Sequence, residues 1–285
     1  MPDWSVKNPY SSILSENSVL NSEGSRKETR HVVFDLGDSG LEYKAGDAIA
    51  VIPRCPPELV DEILSMCNFS GGEKVETHLG ACSLREALTD RYEVHRVSKK
   101  WIGGLGPRLT SDTGTIGIRI VRRQRVSSDD GSLLMDWEGS GVDEDVPEGY
   151  AEIGSASNPA EDLWNELTGD AKAMEDYIWS RDYIDVLGDF GHIGFTPQEL
   201  VDGMDRMKPR LYSIASSPEH EPGTVHLTVA TVRYNHHERD RTGLCTGFLA
   251  ERCEVDDTEI GVFMSPTRSF VLPEDGSIDT IMVGP

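Results

Sequence analysis

The order of residue patterns along this chain predicts an α+β fold, an antiparallel β-barrel interrupted by a mainly helical insertion. Three observations carry that expectation. Short apolar runs separated by glycines fill the N-terminal part, amphipathic patterns of helical period occupy the middle, and strand-like runs return from Pro209 onward. With 285 residues, 37% of them hydrophobic, the chain has enough apolar material for one large domain or two ordinary ones. The simplest topology lets the two strand-rich ends, residues 8–54 and 208–275, complete one barrel around an inserted segment at 55–207.

In the first strand-rich part, His31 to Leu36 and Ala48 to Ile52 are dense in valine and isoleucine and are punctuated by Gly37, Gly40 and Gly46. Proline is tolerated in a first helical turn, and after Pro56 and Pro57 the residues Leu59, Ile63 and Met66 recur at helical spacing, so a helix is expected from Glu58 to Cys67. Polar or glycine boundaries around amphipathic patterns predict further helices over Ser83–Leu88, Ala160–Leu167, Ala171–Leu187 and Pro197–Met207. The stretch from about Gly103 to Ser157 is irregular. Ile116 to Val121 has strand composition, while Ser127–Ser132 and Gly139–Asp145 have the Gly, Ser and acidic content of loops. Gly103-Gly104-Leu105-Gly106 has the glycines of a phosphate loop but no strand before it, so a plain loop is expected. Beyond Pro209, strands are expected over Arg210–Ser216, Val225–Tyr234, Ile260–Met264, Ser269–Leu272 and Thr280–Val283, with a short helix at Gly247–Cys253.

Composition excludes several function classes. A formal net charge of -23 argues against nucleic acid, whose phosphates are bound by clustered Lys and Arg. An acidic face suits a basic protein partner, and a salt-adapted or simply soluble surface explains the charge equally well. Cys55, Cys67, Cys82, Cys245 and Cys253 show no C-x-x-C spacing, which argues against a zinc or iron-sulfur ligand set and fits a reducing cytoplasm. No metal is expected, because adjacent His236 and His237 sit in a charged stretch without further ligand spacing. Neither an export signal nor a membrane-spanning run is visible.

The chemistry concentrates in Arg210-Leu211-Tyr212-Ser213 and Gly243-Leu244-Cys245-Thr246. On a strand, residues two apart project from one face, so Arg210 can grip a phosphate while Tyr212 offers a flat ring to a flavin. Ser213 is placed to hydrogen-bond near the flavin's reactive nitrogen and is the candidate catalytic residue. Gly243 to Thr246 makes a tight turn with Thr246 as the expected N-cap of the following helix, and a pyrophosphate needs such backbone donors as well as a cation. The strand containing Thr228, Val229 and Ala230 has a backbone edge suited to the flavin's pyrimidine side. Each piece alone is also what an ordinary strand or capped helix looks like; the pair together points to a flavin dinucleotide.

Taken in order, Arg210-x-Tyr212-Ser213, Thr228-Val229-Ala230, Tyr234 and Gly243-x-x-Thr246 resemble the ferredoxin-NADP reductase superfamily, in its diflavin reductase branch and the sulfite reductase flavoprotein type within it. The likeness extends to Gly46-Asp47 and Pro57-Glu58-Leu59-Val60 and covers residues 8–100 and 160–285. It implies FAD as cofactor, with Arg210 on the pyrophosphate, Tyr212 over one flavin face, Ser213 beside the site of hydride transfer, and Thr228, Val229 and Ala230 along the flavin edge. It also implies Tyr234 beside the cofactor, Gly243, Leu244, Cys245 and Thr246 around the phosphates, and an arginine from the connecting region, assigned to Arg181. NADPH is the implied reductant of the full-length protein and FMN is not expected in this chain. Residues 277–285 would open a truncated NADPH-binding domain. The implied partner is an acceptor redox protein, either a sulfite reductase haem protein or an FMN protein. A haem monooxygenase reductase and a non-catalytic flavin-binding docking module are the alternatives.

Overall fold

The computed structural model describes residues 3–111, 158–191, 193–267, 271, 273 and 275–281. Its N-terminal part forms β1 (Tyr10–Val19), β2 (Thr29–Asp35) and β3 (Ala48–Ile52). A region of helices follows: α1 (Pro57–Met66), a small hairpin of β4 (Lys74–Thr77) and β5 (Gly80–Ser83), and α2 (Leu84–Glu86), which runs into a π-helical turn at Ala87–Arg91. It continues with α3 (Lys99–Gly103), α4 (Gly106–Ser111), α5 (Pro159–Gly169), α6 (Ala171–Trp179), α7 (Tyr183–Phe190) and α8 (Pro197–Asp202). Strands then return as β6 (Arg210–Ser213), β7 (Thr224–Ala230), β8 (Arg233–His236) and β9 (Arg239–Thr242). After α9 (Leu244–Gly247) and a π-helical turn at Phe248–Arg252 comes β10 (Ile260–Ser265).

Six strands from both ends of the chain join in one antiparallel sheet of order β6-β3-β10-β1-β2-β7. Alternation explains why β2 belongs there: Val32 and Phe34 are wholly buried on one face, where they meet Leu14, Ile49, Leu227 and Val262. Just past β6, the Ala215 N–H donates to the His226 carbonyl of β7 at 2.8 Å, so the two outer strands of the sheet touch. A second core, built around Ile63, Leu88, Ile102, Tyr183 and Leu200, holds the helices together.

Several boundaries differ from expectation for identifiable reasons. The single helix expected over Ala171–Leu187 is two, because the Asp182 carboxylate accepts from the N–H groups of Ile184 (3.0 Å) and Asp185 (3.1 Å) while Asp185 accepts from the Asp182 N–H (2.8 Å). That reciprocal cap starts a new helix. Helix α8 ends at Asp202 rather than Met207, where Gly203 is the C-cap and its carbonyl accepts from Ser98 Oγ at 2.9 Å instead of from a further helical N–H; a Cβ there would stand 2.6 Å from Trp101 Cδ1. The strand expected over Val225–Tyr234 leaves the sheet after Ala230, and its end pairs with β9 as a separate hairpin. The short helix begins at Leu244, so its N-cap is Gly243 and Thr246 lies within it. Gly103 and Gly106, expected in a loop, end α3 and begin α4. Val271, Thr280 and Ile281 carry no strand, and the remainder of those two expected strands, like Ile116–Val121 and the acidic loops, lies largely or wholly outside the described residues.

The helical core predicts one sensitive position. A Cβ on Gly106 would lie 2.7 Å from Cε2 of Trp164, whose indole N–H donates to the Ile102 carbonyl at 3.0 Å. Gly106→Ala is expected to displace that ring and cost about 1–3 kcal/mol, measured as a lower urea midpoint. An unchanged midpoint would show that the indole shifts freely.

Candidate functional site

Strand β6 sets the site. Its alternation half-buries Arg210 and Tyr212 on one face and exposes Leu211 and Ser213 on the other. Antiparallel pairing with β3, which places Tyr212 opposite Ile49, fixes that orientation. The Arg210 guanidinium forms a two-pronged ion pair with Glu93, Nη1 to Oε1 and Nη2 to Oε2 both at 3.0 Å, and also donates to the Lys208 carbonyl at 2.6 Å. Glu93 is almost wholly buried. Burial pushes its carboxyl up, but the hydrogen bonds from Arg210 and the Lys208 N–H, with nearby His95, hold it below the ordinary carboxylate value.

Two residues on, His95 places Nε2 3.4 Å from Glu93 Oε2. Its Nδ1 is buried with no partner among the described residues. Burial pushes the imidazole down to about 4, with Arg210 and Arg96 adding to the effect and Glu93 opposing it. His95 is therefore a neutral ring beside a charged pair.

Tyr212 packs on the sheet core beside Cys245. Burial pushes the phenol up, and it also raises the Cys245 thiol to about 11, so Cys245 presents no thiolate to a ligand near pH 7. The turn carrying Cys245 is a seam: Leu244 belongs to the helical core and Cys245 to the sheet core. With both side chains committed to packing, a ligand at this turn would meet backbone. Gly243 is needed for close approach, since a Cβ would lie 2.7 Å from Thr246 Oγ1 and 3.1 Å from Val232 Cβ. Thr246 Oγ1 accepts from the Val232 N–H at 3.2 Å, which ties the turn to the lead-in of β8.

Two clefts flank His95. One, of about 670 Å³, is lined by Arg96, Lys99, Arg181, Lys208 and Arg210 with the carboxylates Glu93, Glu175 and Asp205. Arg181 reaches it from the break between α6 and α7, braced by Asp189 Oδ2 at 2.8 Å and by the Tyr177 ring at 4.1 Å. The second cleft, about 470 Å³, is lined by Tyr234, Leu244, Arg239, Arg241 and Arg252 among others. There, Arg239 and Arg241 bind both Asp182 and Asp185, joining the β8–β9 hairpin to the start of α7.

The expected residues thus fall into groups. Arg210, Tyr212 and Cys245 adjoin one another, Arg181 shares a cleft with Arg210, and Tyr234 shares the other with Leu244. Val229 points into the sheet core, while Thr228 and Ala230 are exposed on strand β7 at the sheet's edge. Glu93, His95, Arg239 and Arg241 were not anticipated from the sequence.

A family model described as FAD binding domain matches residues 2–101 and 156–248. The chain belongs to this FAD-binding domain family. The match omits 102–155, the stretch that also departs from the pattern of the rest. The FAD-binding chain is also similar to three proteins named sulfite reductase [NADPH] flavoprotein alpha-component. It is 32% identical to that of Mannheimia succiniciproducens over 99% of this chain and 38% of the relative. Identity is 33% to that of Bacillus subtilis, over 99% of this chain and 39% of the relative. With that of Photorhabdus laumondii it is 31%, over 97% and 38%. The chain therefore spans well under half the length of the curated relatives it matches.

The donor set fits FAD. Around one cleft Lys99, Arg181, Lys208 and Arg210 are held by Glu175, Asp189, Asp205 and Glu93, and Arg96 adds a fifth cation. This is a cluster of fixed cations that a pyrophosphate can share, while Tyr212 supplies an aromatic ring on the same strand face as Arg210.

Proposed function

We propose that this chain is the FAD-carrying part of an NADPH-dependent flavoprotein reductase of the sulfite reductase flavoprotein type, passing electrons to an acceptor protein. The observation that carries the reading is that Arg210 and Tyr212 lie on one strand face beside Cys245 of the Gly243–Thr246 turn, with Arg181 lining the same cleft as Arg210. The names of the relatives support the reductant and the reaction. When bound, FAD supplies a group that accepts two electrons together and releases them singly.

The chain's own residues then hold and orient. Arg210, aimed by Glu93, would hold the pyrophosphate, with the N–H groups from Gly243 to Thr246 as further donors and Arg181 adding charge. Tyr212 would cover one flavin face, Ser213 would hydrogen-bond near the reacting nitrogen, the backbone of Thr228, Val229 and Ala230 would hold the pyrimidine edge, and Tyr234 would flank the cofactor. On this reading the antiparallel sheet, residues 8–54 with 208–275, is a flattened barrel, supported by the Ala215–His226 hydrogen bond between its outer strands. Residues 55–207 form the connecting domain, and 277–285 lead into the NADPH-binding part. The acceptor is a haem protein, and the compartment is the cytoplasm, which the burial of all five free cysteines supports. No described helix is long and apolar enough to cross a membrane.

The decisive experiment is the visible spectrum of the purified chain with chromatographic identification of acid-released cofactor. A yellow protein releasing FAD is expected. A colourless protein that takes up no added FAD would overturn the assignment of this site.

A further inference from the structure

Two histidines face each other on the outer side of the sheet. His31 of β2 and His226 of β7 alternate with Val32, Val225 and Leu227, whose side chains fill the sheet core, so both imidazoles stand on the opposite face. The register sets Val33 opposite His226 and His31 opposite Thr228, which makes the two histidines diagonal neighbours. Their rings meet edge to face, with centroids 5.1 Å apart and His31 Nε2 3.3 Å from His226 Nδ1.

The outer nitrogens decide which atoms carry hydrogen. His31 Nδ1 lies 3.1 Å from Glu16 Oε1, an acceptor that also receives the Ser18 hydroxyl at 2.6 Å. An ionised carboxylate has no proton to give, so Nδ1 of His31 is the protonated nitrogen. His226 Nε2 lies 3.2 Å from Thr224 Oγ1, whose single proton goes to the Glu221 carbonyl at 3.3 Å, so Nε2 of His226 is protonated too. The inner nitrogens then present lone pairs to each other, a repulsion that only a proton or a metal ion between them relieves.

The separation fits a metal ion. Two zinc–imidazole bonds of about 2.0–2.1 Å meeting at a tetrahedral angle place their nitrogens about 3.3–3.4 Å apart. Glu16 and Thr224 stand where outer-shell groups stand in metal sites, on the nitrogen that does not bind the ion, fixing tautomer and ring orientation. The His31 side chain keeps 28% exposure, so water reaches the remaining coordination positions. Among the described residues no three His, Cys, Asp or Glu side chains form a metal-binding group, so the protein ligands here number two.

We propose that His31 Nε2 and His226 Nδ1 bind a divalent transition ion of the Zn²⁺ class, oriented by Glu16 and Thr224 and completed by water. The ion clips β2 to β7, the N-terminal to the C-terminal contribution to the sheet. No ligand or orienting residue of this site belongs to the FAD reading, so the two stand or fall separately.

The test titrates Zn²⁺, in a background of excess Mg²⁺ to occupy acidic oxygen sites, into the full chain and into His31→Ala, His226→Ala, Glu16→Gln and His237→Ala, with binding heat and urea unfolding as readouts. The unaltered chain is expected to bind Zn²⁺ saturably and to unfold at a higher urea midpoint in its presence. His31→Ala and His226→Ala should each lose one bound Zn²⁺ per chain together with that midpoint rise. Glu16→Gln, which removes no ligand, should keep the ion with about tenfold or more weaker affinity. His237→Ala, in the exposed hairpin, should leave this ion and the midpoint rise in place. Should a histidine variant fail to fold, the surface change Glu16→Gln still decides. Absence of saturable Zn²⁺ binding, binding unchanged in the histidine variants, or equal affinity in Glu16→Gln would overturn the site and leave the two rings sharing a proton.

Discussion

Arg210→Ala is expected to destabilise the flavin-free protein by about 3–5 kcal/mol, because it strands a buried carboxylate. Glu93 is 1% exposed and receives both prongs of the guanidinium at 3.0 Å. What remains after the substitution is the Lys208 N–H at 2.9 Å and a neutral His95 at 3.4 Å, neither of which replaces a full charge. Glu93→Gln should cost less, since the Arg210 side chain retains 29% exposure and water can solvate what it loses. Combining the two changes should recover most of the loss, a coupling that urea unfolding of the four proteins would measure. An Arg210→Ala protein that unfolds at the unaltered midpoint would mean that Glu93 is not ionised as its surroundings imply. The consequence for function is direct: loss of FAD in Arg210→Ala reports on folding as well as on phosphate binding. Arg210→Lys, which keeps the charge without the fork, is the cleaner probe, and it should unfold nearer the unaltered midpoint while binding FAD more weakly.

The shared face of Arg210 and Tyr212 was legible because strand periodicity is local. Glu93 was not, because it lies 117 residues from Arg210 in sequence and meets it only once the helical region folds back on β6. The break between α6 and α7 was hidden by apolar spacing that continues through Tyr177, Ile178, Tyr183 and Ile184. Its signal was polar: Asp182 followed three residues later by Asp185 is a capping pattern. The β8–β9 hairpin was missed for a different reason. Its turn residues His237 and Glu238 take positive φ, 51° and 59°, a geometry usually announced by Asn-Gly. Its other strand, Arg239-Asp240-Arg241-Thr242, has no apolar alternation, and the ion pairs to Asp182 and Asp185 that anchor it to α7 are tertiary.

Acidification should weaken the flavin-free fold between pH 6.5 and about 4, in part through His95. Burial pushes its imidazole down to about 4 in the folded chain, against 6.5 for a free imidazole. In that window the unfolded chain binds a proton that the folded chain refuses, so stability falls as pH falls and the His95 share levels off below the folded value. A shift of this size, at about 1.4 kcal/mol per unit, sets an upper figure of about 3 kcal/mol; contact of the ring with solvent brings the expectation to about 2 kcal/mol. His78 is shifted in the same direction by burial, and carboxylates add their own slopes, so the comparison must be with His95→Gln rather than with a flat line. The variant should lose about 2 kcal/mol of the pH dependence measured by urea unfolding between pH 6.5 and 4. Identical slopes in the two proteins would place the ring in a wetter setting than its buried Nδ1 indicates. Neutrality also bears on the cleft itself. With Glu93 ionised and His95 uncharged near pH 7, charge for a phosphate has to come from Arg96, Lys99, Arg181, Lys208 and Arg210, so affinity for FAD, whose pyrophosphate diester keeps a fixed charge in this range, should be nearly independent of pH from 6 to 8.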